Sequence, residues 1–153
     1  TDTLYNKYDK EYPWSVAMDS AGIYSTDGKG CGSGKFCSAS DKVRGICPQG
    51  WHLPTTKDFW TLMAHASDKP LKWKDDLNNL YFRHTATQYT TQYYGGKALT
   101  SCYWASTEKS EETASQMCIG ADDGSLFANF VSTSGGVKKN KDKHTVRCIK
   151  DSE

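Results

Sequence analysis

Gly45-Ile46-Cys47-Pro48-Gln49-Gly50-Trp51-His52-Leu53-Pro54-Thr55 is the stretch on which the fold turns, read together with the closing Val146-Arg147-Cys148-Ile149-Lys150-Asp151. The first places a cysteine and an aromatic immediately ahead of a helix start. The second is a short apolar strand carrying a cysteine close to the end of the chain. A bridge from Cys47 to Cys148 would tie the first major helix to the last strand and enclose nearly the whole second half of the chain. The pattern predicts a stapled single domain over residues 1–153, with 1–11 as an N-terminal extension. It leaves loops free to bind something and does not suggest an enzyme.

Working outward, Thr55 and Asp58 form a capping-box-like start, with Asp in place of the usual Glu or Gln. Phe59, Leu62, Met63 and Ala66 then fall at helical spacing, with Trp60 beside the stripe, and Ser67-Asp68-Lys69-Pro70 ends the helix. Upstream, Pro13 to Ala21 reads as a short helix with Trp14, Ala17, Met18 and Ala21 on one face. The glycine-rich run from Ser25 to Cys37 cannot be the interior of an element. Downstream, Leu71 to Thr100 is ambiguous: Trp73, Leu77, Leu80 and Phe82 read as partly buried, and the Thr/Tyr run from Thr85 to Gly96 as an edge strand or a long loop. From Ser101 the pattern is β. Strands are expected over Cys102–Ser106, Ala114–Ile119, Leu126–Val131 and Thr145–Ile149, with turns at Ala121–Gly124 and at Ser134–Gly136.

Composition narrows the class. A formal net charge of +1 gives no field for nucleic acid, and no apolar run approaches the roughly 20 residues that span a bilayer. The chain opens abruptly at Thr1-Asp2-Thr3, which reads as a mature or excised segment of a larger exported protein. The 6 cysteines form no Cys-x-x-Cys pair and the 4 histidines are scattered, so disulfides in an oxidising compartment are expected rather than structural zinc. Cys31 and Cys37 are close enough for local closure. Cys102 and Cys118 lie on neighbouring expected strands, which leaves Cys47 with Cys148. In the chain-entropy model the Cys102–Cys118 loop contributes about 3 kcal/mol and the Cys47–Cys148 loop about 4–5 kcal/mol.

Five motifs in order carry a family resemblance. They are Ala17-Met18-Asp19-Ser20-Ala21-Gly22, the loop Gly28 to Cys37, Val43 to Pro54, Tyr103-Trp104-Ala105-Ser106-Thr107-Glu108, and Val146 to Asp151. Together they resemble the Fibrobacter succinogenes major paralogous domain. That domain is similar in pattern to the C-type-lectin-like fold, including its formylglycine-generating-enzyme branch. The resemblance implies an α+β, disulfide-stapled domain with two helices packed on a twisted antiparallel sheet and long loops. It also implies a secreted or cell-surface protein of bacteria that attach to plant fibre. Residues Leu71 to Thr100 depart from the family pattern.

The function expected is a non-catalytic binding module for carbohydrate, such as plant cell-wall polysaccharide. The alternative is a protein-binding adhesin or surface-assembly module on the same scaffold. Ligand contacts are expected from Ser106, Glu108, Gln116, Asn129, Lys138, Lys139 and Asn140, between Tyr103 and Lys143. A solvated-loop role for the basic run and a local backbone role for Ser106 and Glu108 stand beside that reading. Tyr89, Tyr93 and Tyr94 could stack on sugars or pair across an edge strand. No metal or other cofactor is expected, because the calcium-lectin triplets are absent. The oxygen-rich clusters Asp75-Asp76 with Asn78-Asn79, and Asp122-Asp123, read as solvated turns. No carboxylate pair, nucleophile elbow or left-over cysteine marks a catalytic centre.

Overall fold

A computed structural model describes residues 11–67, 89–90, 98–121 and 130–152, with backbone alone at 62–67, 89–90, 98–101, 119–121 and 130–134. In chain order the elements are α1 (Trp14–Ala17), β1 (Trp51–His52), α2 (Thr56–Ser67), β2 (Tyr89–Thr90), β3 (Ala98–Glu108), β4 (Thr113–Ala121), β5 (Phe130–Lys138) and β6 (Ile149–Lys150). Strands β2 to β5 form an antiparallel meander, and β1 pairs antiparallel with β6. Among the described residues the protein is thus α+β, with two antiparallel sheets, short helices and three disulfides.

The disulfides are Cys31–Cys37, Cys47–Cys148 and Cys102–Cys118, and no cysteine is free. This full pairing points to an oxidising environment. Cys102 and Cys118 face each other in the β3–β4 register, with Cα atoms 4.1 Å apart. Cys47 lies just before β1 rather than in a helix, so its bridge to Cys148 closes the end of the β1–β6 ribbon. Among the described residues no helix is long and apolar enough to cross a membrane.

Local chemistry explains the boundaries. The α2 cap is reciprocal: Thr55 N–H donates to Asp58 Oδ2 at 3.0 Å, and Asp58 N–H donates to Thr55 Oγ1 at 3.0 Å. Two of the helix's orphan donors are satisfied by side chains four residues apart or closer. Helix α1 is shorter than the Pro13–Ala21 expectation because Asp19 leaves helical space at φ 55°. Its carboxylate accepts from the N–H groups of Ile23, Tyr24 and Ser25 at 3.0, 2.6 and 2.8 Å. Burial alone would raise the Asp19 carboxyl pKa. Those backbone donors, with the Arg44 charge, overcome burial and hold it below the usual 3.8.

Two β expectations change. Ser134-Gly135-Gly136 is no turn: β5 runs through it. Ala114 faces Val137 and Gln116 faces Ser134, so Gly135 and Gly136 together oppose Ser115 in a bulge. The reversal comes after Lys138, where Asp142 Oδ2 accepts from Lys138 N–H at 2.8 Å and Asp142 N–H donates to the Lys138 carbonyl at 3.1 Å. The last strand is Ile149–Lys150 rather than Thr145–Ile149. His144 bridges instead to Tyr12, and Thr145 runs parallel to Tyr103. The Ala121–Gly124 turn, apart from Ala121, and residues 126–129 of the expected third strand lie outside the described residues. So do Trp73, Leu77, Leu80, Phe82, Tyr93, Tyr94, Asp75-Asp76 with Asn78-Asn79, and Asp122-Asp123; Tyr89 is described by its backbone only.

The core gathers α1, the segment from Val43 to Leu53, and the inner faces of β3 to β5 around Trp14 and Trp104, both fully buried. Each indole is satisfied: Trp14 Nε1 donates to the Ala105 carbonyl at 2.9 Å, and Trp104 Nε1 to that of Tyr12 at 2.6 Å. Gly45 sits at φ 54°, and any Cβ there would strike the Ala17 carbonyl, so this turn admits only glycine.

His144 packs against Trp104 in a tilted contact, with ring centroids 4.4 Å apart, and its Nε2 is buried without a partner among the described residues. Burial pushes its imidazole down from 6.5 to about 4, against the opposing pull of Asp142 and the Lys143 backbone. The unfolded chain takes up this proton as pH falls through 6.5, while the native state does so only near 4. The stability due to neutral His144 is therefore fully present above pH 6.5 and lost between 6.5 and 4. The expected loss is at most about 3 kcal/mol. Denaturant unfolding at stepped pH would show the slope, and His144→Phe would flatten it. An unchanged slope in that variant would assign the acid sensitivity elsewhere. Asp19 adds a further loss only as pH drops below 3.8.

Candidate functional site

A groove of about 680 Å³ lies over the start of α2. Three distant parts of the chain build it: the Asp41–Lys42 segment, the first turns of α2, and β6 with Ser152. Pairing of Trp51 with Lys150 and His52 with Ile149 brings the chain end beside the helix start. A bulge in β3 completes the wall. Trp104 faces Gln116 and Glu108 faces Ala114, so Ala105, Ser106 and Thr107 leave the ladder together. Freed from β4, Ser106 N–H donates to the Pro54 carbonyl at 2.9 Å, and Thr107 Oγ1 accepts from Thr56 N–H at 3.0 Å. The bulge thus docks β3 against the α2 cap.

On the groove, Trp60 is 58% exposed, one residue from Phe59, which is 1% exposed. Amphipathic spacing puts Phe59 on the core side of the helix and turns Trp60 outward. Around it stand Thr55, Thr61 and Thr107 and the lysines Lys42, Lys57 and Lys150, while the Thr56 hydroxyl is buried without a partner among the described residues. His52 lies at the base, 6% exposed. Its Nδ1 is 2.6 Å from Asp151 Oδ1, and its Nε2 is 3.1 Å from Asp58 Oδ2. Both ring nitrogens thus face carboxylates. The triad braces the chain end against the helix cap.

The residues expected to contact ligand are dispersed. Ser106 is 5% exposed and lines a hollow that adjoins the groove. Glu108 lies beside it, with a side chain only 4% exposed that faces inward to Lys139, itself fully buried. Lys139 Nζ donates to Glu108 Oε1 at 2.7 Å, to the Lys35 carbonyl at 3.2 Å and to the Gly32 carbonyl at 3.3 Å. It also stands 4.5 Å from the Trp14 ring centroid. Glu108 and Lys139 therefore satisfy each other and present no charge to a ligand. Gln116 lies within β4, and its Oε1 is buried without a partner among the described residues. Lys138 and Asn140 are exposed near the reversal after β5 and do not line the groove, and Asn129 lies outside the described residues. Trp60, Lys42 and Lys150 were missed as site residues. The available signal was a tryptophan set off the apolar stripe of its helix, where solvent exposure of so large a ring has no packing reason.

No family model, curated protein or solved structure matches this chain.

Proposed function

We propose that this chain is a non-catalytic, secreted or cell-surface binding module that recognises carbohydrate, with plant cell-wall polysaccharide as the leading class. The α+β arrangement, with its helix docked beside the β1–β6 ribbon, would be a C-type-lectin-like fold of the Fibrobacter paralogous-domain kind. The order of the five sequence motifs supports that assignment. The observation that carries the functional reading is Trp60, 58% exposed over a groove with threonine hydroxyls. An indole face suits the C–H face of a pyranose ring, and neighbouring hydroxyls and ammonium groups suit its oxygens. Engagement of all six cysteines and of both His52 nitrogens supports a binding rather than a catalytic role.

The test is retention of oxidised protein on insoluble cellulose, xylan, mannan and pectin. Trp60→Ala is expected to weaken retention by about 2 kcal/mol, roughly 30-fold in Kd, while stability stays within about 0.5 kcal/mol. Equal binding by the variant would remove Trp60 from the site. No retention on any polysaccharide would overturn the carbohydrate reading. A second reading, a protein-binding module, is favoured by Ile23 and Tyr24. They are 72% and 63% exposed on a loop that the Asp19 carboxylate holds in place.

A further inference from the structure

We infer that the groove takes an extended, uncharged glycan chain across two aromatic subsites, one at Trp60 and one at Phe36; this rests on the carbohydrate reading of the groove. The main groove and a smaller hollow of about 160 Å³ share Asp41, Thr55 and Thr107, so the two adjoin along that wall. Trp60 stands at one end and Phe36 at the other, 58% and 51% exposed. The hollow is lined by Ser38, Ser40, Thr55, Ser106 and Thr107. Repeating rings with hydroxyl edges match that alternation of aromatic and hydroxyl surface along a line.

Phe36 is held in place. Its loop is closed by the Cys31–Cys37 bridge and by a backbone bridge from Gly32 to Lys35. The next two residues are pinned, since Cys37 N–H lies 3.0 and 3.1 Å from the two Glu108 oxygens and Ser38 N–H donates to Oε2 at 3.0 Å. A ring fixed in solvent by a disulfide and a buried carboxylate is a preorganised contact, and it loses little freedom when a ligand covers it. Charge points to a neutral chain. Lys42, Lys57 and Lys150 are set against Asp41 and Asp58, so no strong field of one sign lines the depression.

The experiment first takes the polysaccharide class retained by the oxidised protein. Calorimetry then uses that class's own sugars, for example xylose, xylobiose and xylohexaose for xylan. Affinity is expected to rise at least about tenfold from disaccharide to hexasaccharide, with little response to salt. Phe36→Ala should remove that rise, whereas Trp60→Ala should weaken binding of disaccharide and hexasaccharide alike. A hexasaccharide that binds no better than the disaccharide, or whose affinity survives Phe36→Ala, would overturn the two-subsite inference and leave the carbohydrate reading standing. Retention by pectin alone, abolished by salt, would overturn the neutral-chain inference. Absence of retention across all the polysaccharides would overturn both readings together.

Discussion

Removing the Cys47–Cys148 bridge by a paired Cys47→Ala/Cys148→Ala substitution is expected to cost about 5 kcal/mol of folding stability. The three disulfides close loops of very different length, with sequence separations of 6, 16 and 101. In the chain-entropy model these restrict the unfolded chain by about 2, 3 and 5 kcal/mol respectively. A domain of this size has roughly 5–15 kcal/mol in all, so the long bridge alone decides whether the fold survives warming. Alanine is the useful replacement, because the two cysteines are 1% and 2% exposed and serine would add buried hydroxyls.

The same bridge has a local consequence. The β1–β6 ribbon has only two paired positions, far too few to hold by its own hydrogen bonds. It is nevertheless what places Lys150 and Ser152 beside α2 and presents Asp151 to His52. Loss of the bridge should therefore weaken the proposed glycan binding even under conditions where the protein stays folded. Denaturant unfolding of all three paired-alanine variants checks the account. A Cys47/Cys148 variant no less stable than the Cys31/Cys37 variant would show that loop closure does not set the order.

What could be read in the sequence depended on how far apart the partners lie. The α2 cap was legible because Thr55 and Asp58 are near neighbours whose geometry the helix dictates. The disulfides were legible because each short loop or strand pair left the next pairing forced. Gly135-Gly136 was misread because a glycine pair marks a bulge as readily as a turn, and the sheet register alone decides between them. The groove was half legible. Trp60 stands off its helix stripe in plain sight, but Lys150 joins it only through the pairing of β1 with β6, and Asp41 and Lys42 only through Val43, whose carbonyl accepts from Leu53 N–H. Glu108 and Lys139 read as surface charges because nothing local reveals a counter-ion 31 residues away across a sheet.

That buried pair yields the other large expected effect. Glu108→Gln should cost about 3–5 kcal/mol, because it leaves the Lys139 ammonium inside the protein beside a neutral amide. The side chains are 4% and 0% exposed, so water cannot take over the charge. Lys139→Met should cost less. The Glu108 carboxylate would still accept the N–H groups of Cys37 and Ser38. The double variant Glu108→Gln/Lys139→Met buries no charge, and it is expected to be more stable than the sum of the single losses predicts by about 1–3 kcal/mol. The pair joins the end of β3, the turn after β5, the Cys31–Cys37 loop and the Trp14 face, so breaking it loosens the support under Phe36 as well. A double-mutant cycle by denaturant unfolding separates this account from a role in contacting ligand. Surface ligand contacts would leave all three variants within about 0.5 kcal/mol of the parent and reduce binding alone. A large coupling in stability instead places the two charges in the frame that holds the groove.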